Sequence, residues 1–304
     1  MKKIIIALAA FASIAACNKA EVIETQENEA IAFNTPFVDN ATKAATDPSY
    51  GAVNFEEFKV WGTANGVAIF AGDKVTGIVG EGQVWECEKK QYWVNGVNYN
   101  FAAVASGEVT PGDDKLPATI SYTANGTSDL IYAENKGIVG KAAGENVPVA
   151  LTFSHLLAKV KFTATTSTDI PGYSYTVSDI TIKNAYDSGV YTIKEESWDD
   201  LVKTDGQSFG SITVNKDLKK NECKQEMLLI PIAATDKVSI SCKMTLEYAG
   251  ETIWEETSEV TVDTGLLAAN AYNFTIGLNV GEEITFSVEK NAAWSEDNNQ
   301  AIYF

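Results

Sequence analysis

The cysteine at position 17 stands in a setting that would make its thiol a site of covalent modification. Lys2 and Lys3 precede an apolar run over residues 4–16, which is too short to span a membrane as a helix. The run ends in Ile14-Ala15-Ala16-Cys17, which resembles a bacterial lipobox, where small residues fit the signal peptidase and the cysteine thiol receives a diacylglyceryl group. We predict a lipoprotein signal peptide over residues 1–16 and lipidation of Cys17. The alternative is an ordinary secretory signal followed by an incidental cysteine.

Other residue patterns that could support catalysis or metal binding are weak. His155 is the only histidine, so a site with several histidine ligands is excluded, and no HExxH, CxxC or GxGxxG spacing occurs. In a strand, Ser154 would point to the face opposite His155, which disfavours a triad. Counting carboxylates leaves a glycosidase pair open, because acidic residues are plentiful. We predict no catalytic, cofactor-binding or metal-binding residues, and a protein that is not an enzyme.

The charge of the chain restricts its partners. The formal net charge is -18, and all 23 basic residues are lysines. An acidic chain repels phosphate backbones and anionic lipid surfaces, so nucleic acid is not expected as a partner. The absence of arginine from the sequence also removes the side chain that most often binds phosphate in a bidentate manner.

The stretch over residues 147–166, VPVALTFSHLLAKVKFTATT, lies at the centre of the chain. From Leu156 to Ala164 apolar residues alternate with polar ones, which predicts a half-buried strand. Upstream the alternation has the opposite phase, and the change falls between Leu156 and Leu157. Either a β-bulge or a strand that leaves one packing surface for another would produce this change. We predict that the stretch opens the second half of a two-domain β protein.

Short apolar segments separated by Gly, Asn and Asp recur along the whole chain, which predicts an all-β fold with antiparallel strands. Residues 105–127 are expected to form a long loop or an edge. Met227–Tyr248 is predicted to form a hairpin, with Cys242 on its apolar side as a small core residue. At 304 residues the chain has a length typical of about two domains.

Aromatic residues cluster in the first half of the chain. They could form a platform on which sugars stack, or they could form a core with cross-strand pairs, and the sequence favours the core. The residues of this cluster are Trp85, Tyr92, Trp93, Tyr99 and Phe101.

Several segments together resemble the fimbrillin family of Bacteroidetes, the subunits of type V pili and fimbriae. The segments follow one another over nearly the whole chain after the lipobox: YWVNGVNYNFAA, DLIYA at Asp129, LTFSHLLAKVKF, LLIPI, YNFTIGL and ITFSVEKNAAW. The resemblance implies two antiparallel, transthyretin-like β-sandwich domains in tandem after a lipoprotein signal peptide. With it we divide the chain into a tether with a removable first strand (17–45), an N-terminal domain (46–147) and a C-terminal domain (148–304).

The resemblance also implies assembly by strand exchange, in which a protease removes an N-terminal strand and a neighbouring subunit fills the vacated groove. In this chain the removable strand would include Ile31, Phe33 and Phe37, and cleavage would fall at Lys43 and Ala44. The donor would come from the C-terminal segment, with Ile284, Phe286, Val288, Ile302 and Phe304. For the last four residues two alternatives remain open: a tail packed on its own sheet, or part of a strand offered to a neighbour.

The expected function is therefore that of a structural subunit of a cell-surface fimbria or pilus, at the stalk, tip or anchor, that supports adhesion. The resemblance implies other fimbrial subunits as partners, a host or bacterial surface ligand, and attachment to the outer membrane through the lipid on Cys17. The alternative is a monomeric surface lipoprotein that binds glycans through the aromatic cluster. No cofactor is expected in either case.

Overall fold

The computed structural model describes residues 29–34, 37–38, 57–77, 84–166, 172–214, 220–222, 225–278, 285–291 and 301–303. Its strands up to the centre of the chain are β1 (Phe33–Asn34), β2 (Phe37–Val38), β3 (Glu57–Ala64), β4 (Val67–Thr76), β5 (Val84–Cys87), β6 (Asn98–Ala105), β7 (Glu108–Pro111), β8 (Pro117–Thr123), β9 (Ile131–Val139) and β10 (Thr152–His155).

The later strands are β11 (Ala158–Thr165), β12 (Tyr173–Ile182), β13 (Ser188–Thr192), β14 (Ser197–Val202), β15 (Gln207–Val214), β16 (Lys220–Glu222), β17 (Met227–Leu229), β18 (Val238–Tyr248), β19 (Glu251–Val262), β20 (Ala271–Gly277), β21 (Thr285–Asn291) and β22 (Ala301–Tyr303). The 3-10 helix Ala234–Asp236 is the single helix of the described part. No helix in these ranges has the length and apolar character needed to cross a membrane. The expected all-β class is confirmed.

Eight strands form a sheet whose two ends meet at the N-terminal segment. The order is β1-β5-β4-β3-β6-β9-β10-β2. β1 pairs antiparallel with β5 at one end, and β2 pairs parallel with β10 at the other. Because only residues 35 and 36 separate β1 from β2, the same short segment pairs with both ends and closes the sheet on itself. Closure removes the free edges that an open sheet would present.

The interior of this closed sheet is filled with aromatic side chains. Alternating residues of β3 and β6, among them Phe58, Val60 and Phe101, point inward and are buried. β3 and β4 are joined at Asn65-Gly66, where both residues have positive φ (47° and 80°), as a two-residue type I′ hairpin requires. The first half of the chain therefore owes its core to strands of period two connected by tight turns.

A second, four-stranded sheet packs on the outer face of the closed sheet, and its order is β14-β13-β8-β7. Trp61 and Val104 from the outer face pack with Leu116, Ile120 and Leu130 in one apolar cluster. β8 pairs with β13 over five residue pairs, from Ser188↔Thr123 to Thr192↔Thr119. The closed sheet and this second sheet are called the N-terminal unit below.

The remaining strands build a two-sheet sandwich, called the C-terminal sandwich below. One sheet has the order β16-β11-β20-β21-β22, with β17 also on β11, and the other has the order β15-β12-β18-β19. Residues from both sheets fill one core, including Phe162, Phe209 and Phe274. β11 and β20 run parallel, whereas the other ladders of this sandwich are antiparallel.

The central stretch passes from one unit to the other at the predicted phase change. β10 pairs with β9 in the N-terminal unit, and β11 pairs with β20 in the C-terminal sandwich. Leu156 and Leu157 connect the two strands, and both are buried in the cluster between the sheets of the N-terminal unit. Of the two explanations for the phase change, the strand that leaves one packing surface for another is confirmed.

The predicted hairpin over Met227–Tyr248 is wrong. β17 pairs with β11, whereas β18 pairs with β12 and β19. Pro231 has no N–H to donate to a ladder, and the residues on its two sides enter different cores: Ile230 lies in the cluster of the N-terminal unit and Ile232 in the C-terminal sandwich. Of the two alternatives for residues 105–127, the edge is confirmed, since these residues contain the hairpin of β7 and β8 and β7 is the outermost strand of its sheet.

Two pairings cross the predicted domain boundary between residues 147 and 148. β10 adds to β9, and β13 adds to β8, although β10 and β13 both follow the boundary in the chain. Burial of apolar side chains explains both pairings. Phe153 of β10 lies in the interior of the closed sheet, and Tyr191 and Trp198 cover the apolar cluster on the outer face of that sheet. The division of the chain into domains at this boundary stays a prediction.

Cys242 occupies the core of the C-terminal sandwich, as predicted, and is fully buried. Burial raises the pKa of its thiol to about 11, because a thiolate would lose its solvation there. We expect iodoacetamide to label Cys242 at pH 8 much more slowly in the folded protein than in urea, since the thiolate is the reactive form. Peptide-level mass spectrometry measures both rates, and equal rates in the two conditions would contradict this placement.

Candidate strand-exchange site

The N-terminal segment over residues 29–34 lies between two other parts of the chain and makes backbone hydrogen bonds to both. On one side the Ile31 N–H donates to the Gln91 carbonyl at 2.8 Å, and the Trp93 N–H donates to the Glu29 carbonyl at 2.9 Å. On the other side Asn34 and Ala32 exchange hydrogen bonds with Val149, at 2.9 and 2.8 Å. The segment is thus held as an inner strand although it comes from the end of the described chain.

Two side chains of the segment enter the interior of the closed sheet. Ile31 is 3% exposed and Phe33 is 0% exposed, whereas the intervening Ala32 is half-buried. The Phe33 ring makes edge contacts with Phe58 and Phe101, with centroids 5.8 and 5.9 Å apart. Burial of such a pair contributes about 1.5–3 kcal/mol for each side chain. In residues 31–34 the larger apolar side chains occur at every second position, which accounts for the extended conformation and for the burial of Ile31 and Phe33 on the same face.

The segment continues into β2, where Phe37 and Val38 pair in parallel with Thr152 and Phe153 of β10. A bridge from Phe33 to Val149 runs in the same parallel sense. Residues 32–34 and 37–38 therefore pair with one edge, which is formed by residues 149–153. The other edge is formed by β5 and residues 91–93.

This arrangement has a defined chemical consequence. If the segment were removed, residues 84–93 and 149–153 would present unpaired N–H and C=O groups, and the interior would open beside Phe58 and Phe101. Unpaired sheet edges bind other extended chains readily. Sequence reasoning identified Ile31, Phe33 and Phe37 but missed the two edges that hold them. The alternation of Val149, Leu151 and Phe153 is the signal that could have identified one edge.

Two of the predicted donor residues, Phe286 and Val288, lie in the C-terminal sandwich, in a core separate from that of Ile31 and Phe33. Val288 is buried there, and Phe286 packs against the same core while half-buried. Ile302 belongs to β22, which pairs with Val288 of β21 at the edge of the sheet. Of the two alternatives for the last residues, the structure shows Ala301–Tyr303 on the chain's own sheet.

Five of the predicted residues lie outside the described residues: Cys17, Lys43, Ala44, Ile284 and Phe304. Lipidation and cleavage therefore remain predictions from the sequence. The described residues place the strand-exchange candidates in two groups, one in each unit, and bring no donor residue into contact with the N-terminal segment.

The aromatic cluster of the first half is not a glycan platform. Trp85 and Phe101 are 0% exposed, Tyr99 is 1% exposed and Trp93 is 5% exposed, so a sugar ring cannot reach them. Tyr99 and Trp93 instead pack edge to face at 4.8 Å within the interior of the closed sheet. Only Tyr92 of the five is half-exposed. The glycan-binding alternative through this cluster is wrong, because the rings are needed to fill the core.

His155 is also a structural residue of the N-terminal unit. It is 3% exposed, and its Nδ1 atom lies 2.6 Å from the Oδ2 atom of Asp129. Among the described residues, no three His, Cys, Asp or Glu side chains converge in a way that could hold a metal ion.

Comparison with known proteins agrees with this architecture. A fimbrial protein from Bacteroides vulgatus has a similar structure, with a TM-score of 0.60 and 13% identity over 88% of this chain and 100% of that chain. A candidate cell adhesion protein from Bacteroides ovatus gives a TM-score of 0.56 and 12% identity, covering 89% of this chain and 99% of that one. One from Bacteroides uniformis gives a TM-score of 0.53 and 16% identity, covering 89% and 99%. At these identities the likeness shows a shared fold.

No curated protein sequence matches the chain. A family model described as fimbrillin-like, in contrast, matches residues 42–294, which include all strands from β3 to β21. The match spans far more than half of the 304 residues. The chain belongs to the fimbrillin-like family.

Proposed function

We propose that this protein is a structural subunit of a cell-surface fimbria that assembles by strand exchange and supports adhesion. The observation that carries the proposal is the N-terminal segment, which closes the sheet of the N-terminal unit through hydrogen bonds on both sides and two buried side chains. Membership of the fimbrillin-like family supports it. The partners are other fimbrial subunits, and the role is structural rather than catalytic.

In this proposal the segment acts as a temporary occupant of its groove. The protein is exported, lipidated at Cys17 and carried to the outer surface of the outer membrane. Several acyl chains hold it there, since each buried methylene contributes about 0.8 kcal/mol. Cleavage between Lys43 and Ala44 then releases residues 17–43, including the segment. Before cleavage the segment pairs with both β5 and β10, so the closed sheet has no free edge at the groove and the subunit stays monomeric.

The incoming strand comes from the C-terminal segment of the next subunit. Phe286 and Val288 lie two positions apart in β21, as Ile31 and Phe33 do in the N-terminal segment, so either pair could point into one face of a groove. β22 is the outermost strand of its sheet and pairs only with β21 among the described strands. Detaching this short edge strand costs fewer contacts than detaching an inner strand. The donor residues thus include Ile284, Phe286, Val288, Ile302 and Phe304.

Deleting residues 301–304 tests the donor. We expect the truncated protein to fold with an unchanged circular dichroism spectrum, because β22 is an edge strand of three residues. We expect it to form few or no filaments after processing, as seen by negative-stain electron microscopy. The full-length protein processed in parallel is the control. Filaments of normal number and length would remove these residues from the donor role.

A further inference from the structure

We propose that a cleft between the N-terminal unit and the C-terminal sandwich binds a neutral saccharide. The cleft has a volume of about 740 Å³, which lies in the range of ligand pockets in proteins. Its walls come from three places: the outward faces of β9 and β10, the β13–β14 hairpin, and the loops around residues 231–236 and 266–268 of the C-terminal sandwich. This site shares no residue with the buried aromatic cluster, and it shares only Thr152, at the edge of β10, with the strand-exchange groove.

Four aromatic side chains line the cleft, and all are partly exposed: Tyr132, Tyr186, Tyr191 and Trp198. The Tyr191 and Trp198 rings lie 5.5 Å apart at an angle of 60°, so each fixes the orientation of the other. Tyr122 supports Trp198 from behind, with centroids 6.4 Å apart. An aromatic face is electron-rich, and the C–H bonds on one face of a pyranose ring carry the complementary charge. Rigid, accessible rings of this kind favour stacking of sugars.

Three carboxylates stand at the same cleft: Glu134, Glu196 and Asp236. The Tyr132 hydroxyl donates to Glu134 Oε2 at 2.7 Å, and the Tyr186 hydroxyl lies 3.5 Å from Asp236 Oδ2. Burial raises the pKa of Tyr132 and of Tyr191, so both phenols remain donors over the physiological range. Carboxylates accept from sugar hydroxyls, and tyrosine hydroxyls can both donate and accept. Aromatic rings for stacking and polar groups for hydrogen bonds to a sugar therefore line the same cleft.

The charge of the lining disfavours an anionic ligand, which leaves neutral and cationic ligands. Three carboxylates but no lysine are among the described residues that line the cleft, and the His155 imidazole there is already in contact with Asp129. An ammonium group could lie between rings and carboxylates. The Glu134 carboxylate, however, already pairs with Lys136 at 2.7 Å, and three tyrosine side chains line the cleft. A sugar hydroxyl can both donate to and accept from tyrosine hydroxyls, whereas an ammonium group only donates. The neutral saccharide therefore fits better.

The test uses the lipid-free but otherwise unprocessed protein and a panel of neutral gluco-, galacto-, manno- and xylo-oligosaccharides. Isothermal titration calorimetry is expected to show saturable binding of at least one of them. Tyr191→Leu and Glu196→Ala should each weaken that binding tenfold or more. Glu195→Ala is the matched control, since Glu195 is the exposed neighbour that does not line the cleft, and it should bind as the unchanged protein does.

Thermal unfolding of each variant shows whether the fold survives, and Glu196→Ala keeps the test valid if Tyr191→Leu unfolds, because the Glu196 side chain is exposed. Three results would overturn the proposal. One is no saturable binding to any oligosaccharide of the panel. Another is binding that both cleft variants leave unchanged. The third is binding of Nα-acetyl-lysine amide in preference to every sugar, which would assign the cleft to a cationic ligand.

Discussion

Replacing Phe33 with alanine is expected to lower the free energy of unfolding of the unprocessed protein by about 3–5 kcal/mol, the usual cost of truncating a buried phenylalanine. Phe33 is fully buried and contacts Phe58, Phe70 and Phe101. Urea unfolding followed by tryptophan fluorescence measures the change, because Trp85 stacks on Phe58 in the same core. Val67→Ala, at a position 69% exposed, is the control and should change the free energy by less than about 0.5 kcal/mol.

The Phe33→Ala substitution also distinguishes the unprocessed monomer, which holds the N-terminal segment, from the filament, which is proposed to lack it. If cleavage removes the N-terminal segment before assembly, filaments built from the Phe33→Ala protein contain no altered residue and should unfold like unaltered filaments. Phe101→Ala, in β6 of the retained chain, should weaken both monomer and filament. Filaments of the Phe33→Ala protein that are as destabilised as its monomer would show that the segment stays in the groove.

Cutting the chain between Lys43 and Ala44 is expected to have the largest effect, a change from monomer to filament. A unique protease recognition sequence placed between these two residues allows the cut to be made in purified protein. Before the cut the N-terminal segment pairs with β5 and β10, so the closed sheet has no free edge at the groove. After the cut residues 149–153 and β5 lose their shared partner, and an extended chain can replace it. Analytical ultracentrifugation and electron microscopy follow the change.

A synthetic peptide of residues 29–38 provides the control for this experiment. It carries Ile31, Phe33 and Phe37, so in excess it should refill the groove and suppress filament formation. The same peptide with Phe33→Asp should not suppress it, because burial of an unpaired carboxylate is costly. Equal suppression by both peptides, or a cut protein that stays monomeric without peptide, would contradict strand exchange at this groove.

The sequence predicted those parts of the fold that local alternation determines. The phase change at Leu156-Leu157 located the passage between the two units, because Phe153 before it packs inside the closed sheet and Val160 after it packs in the C-terminal sandwich. Ile31 and Phe33 are two positions apart and are both buried, as period two requires. Cys242 lies in the core for the same reason. In each case a few neighbouring residues carried enough information.

Features that depend on distant pairing could not be predicted in this way. β13 pairs with β8 about seventy positions earlier, and nothing in its own residues specifies that partner. The hairpin predicted over Met227–Tyr248 was wrong because Ile230 and Ile232 enter different cores. The cleft lined by Tyr132, Tyr191 and Trp198 was missed for a related reason, since its rings come from separate strands and meet only in the folded chain.

The mature N-terminus of subunits within assembled fimbriae tests the central claim most directly. Fimbriae sheared from the cell surface can be dissociated and their N-terminal peptides identified by mass spectrometry. We predict a chain that begins at Ala44, with residues 29–38 absent from the filament. Filaments whose subunits begin at lipidated Cys17 and retain Ile31 and Phe33 would contradict it, because the groove would then still hold its own strand.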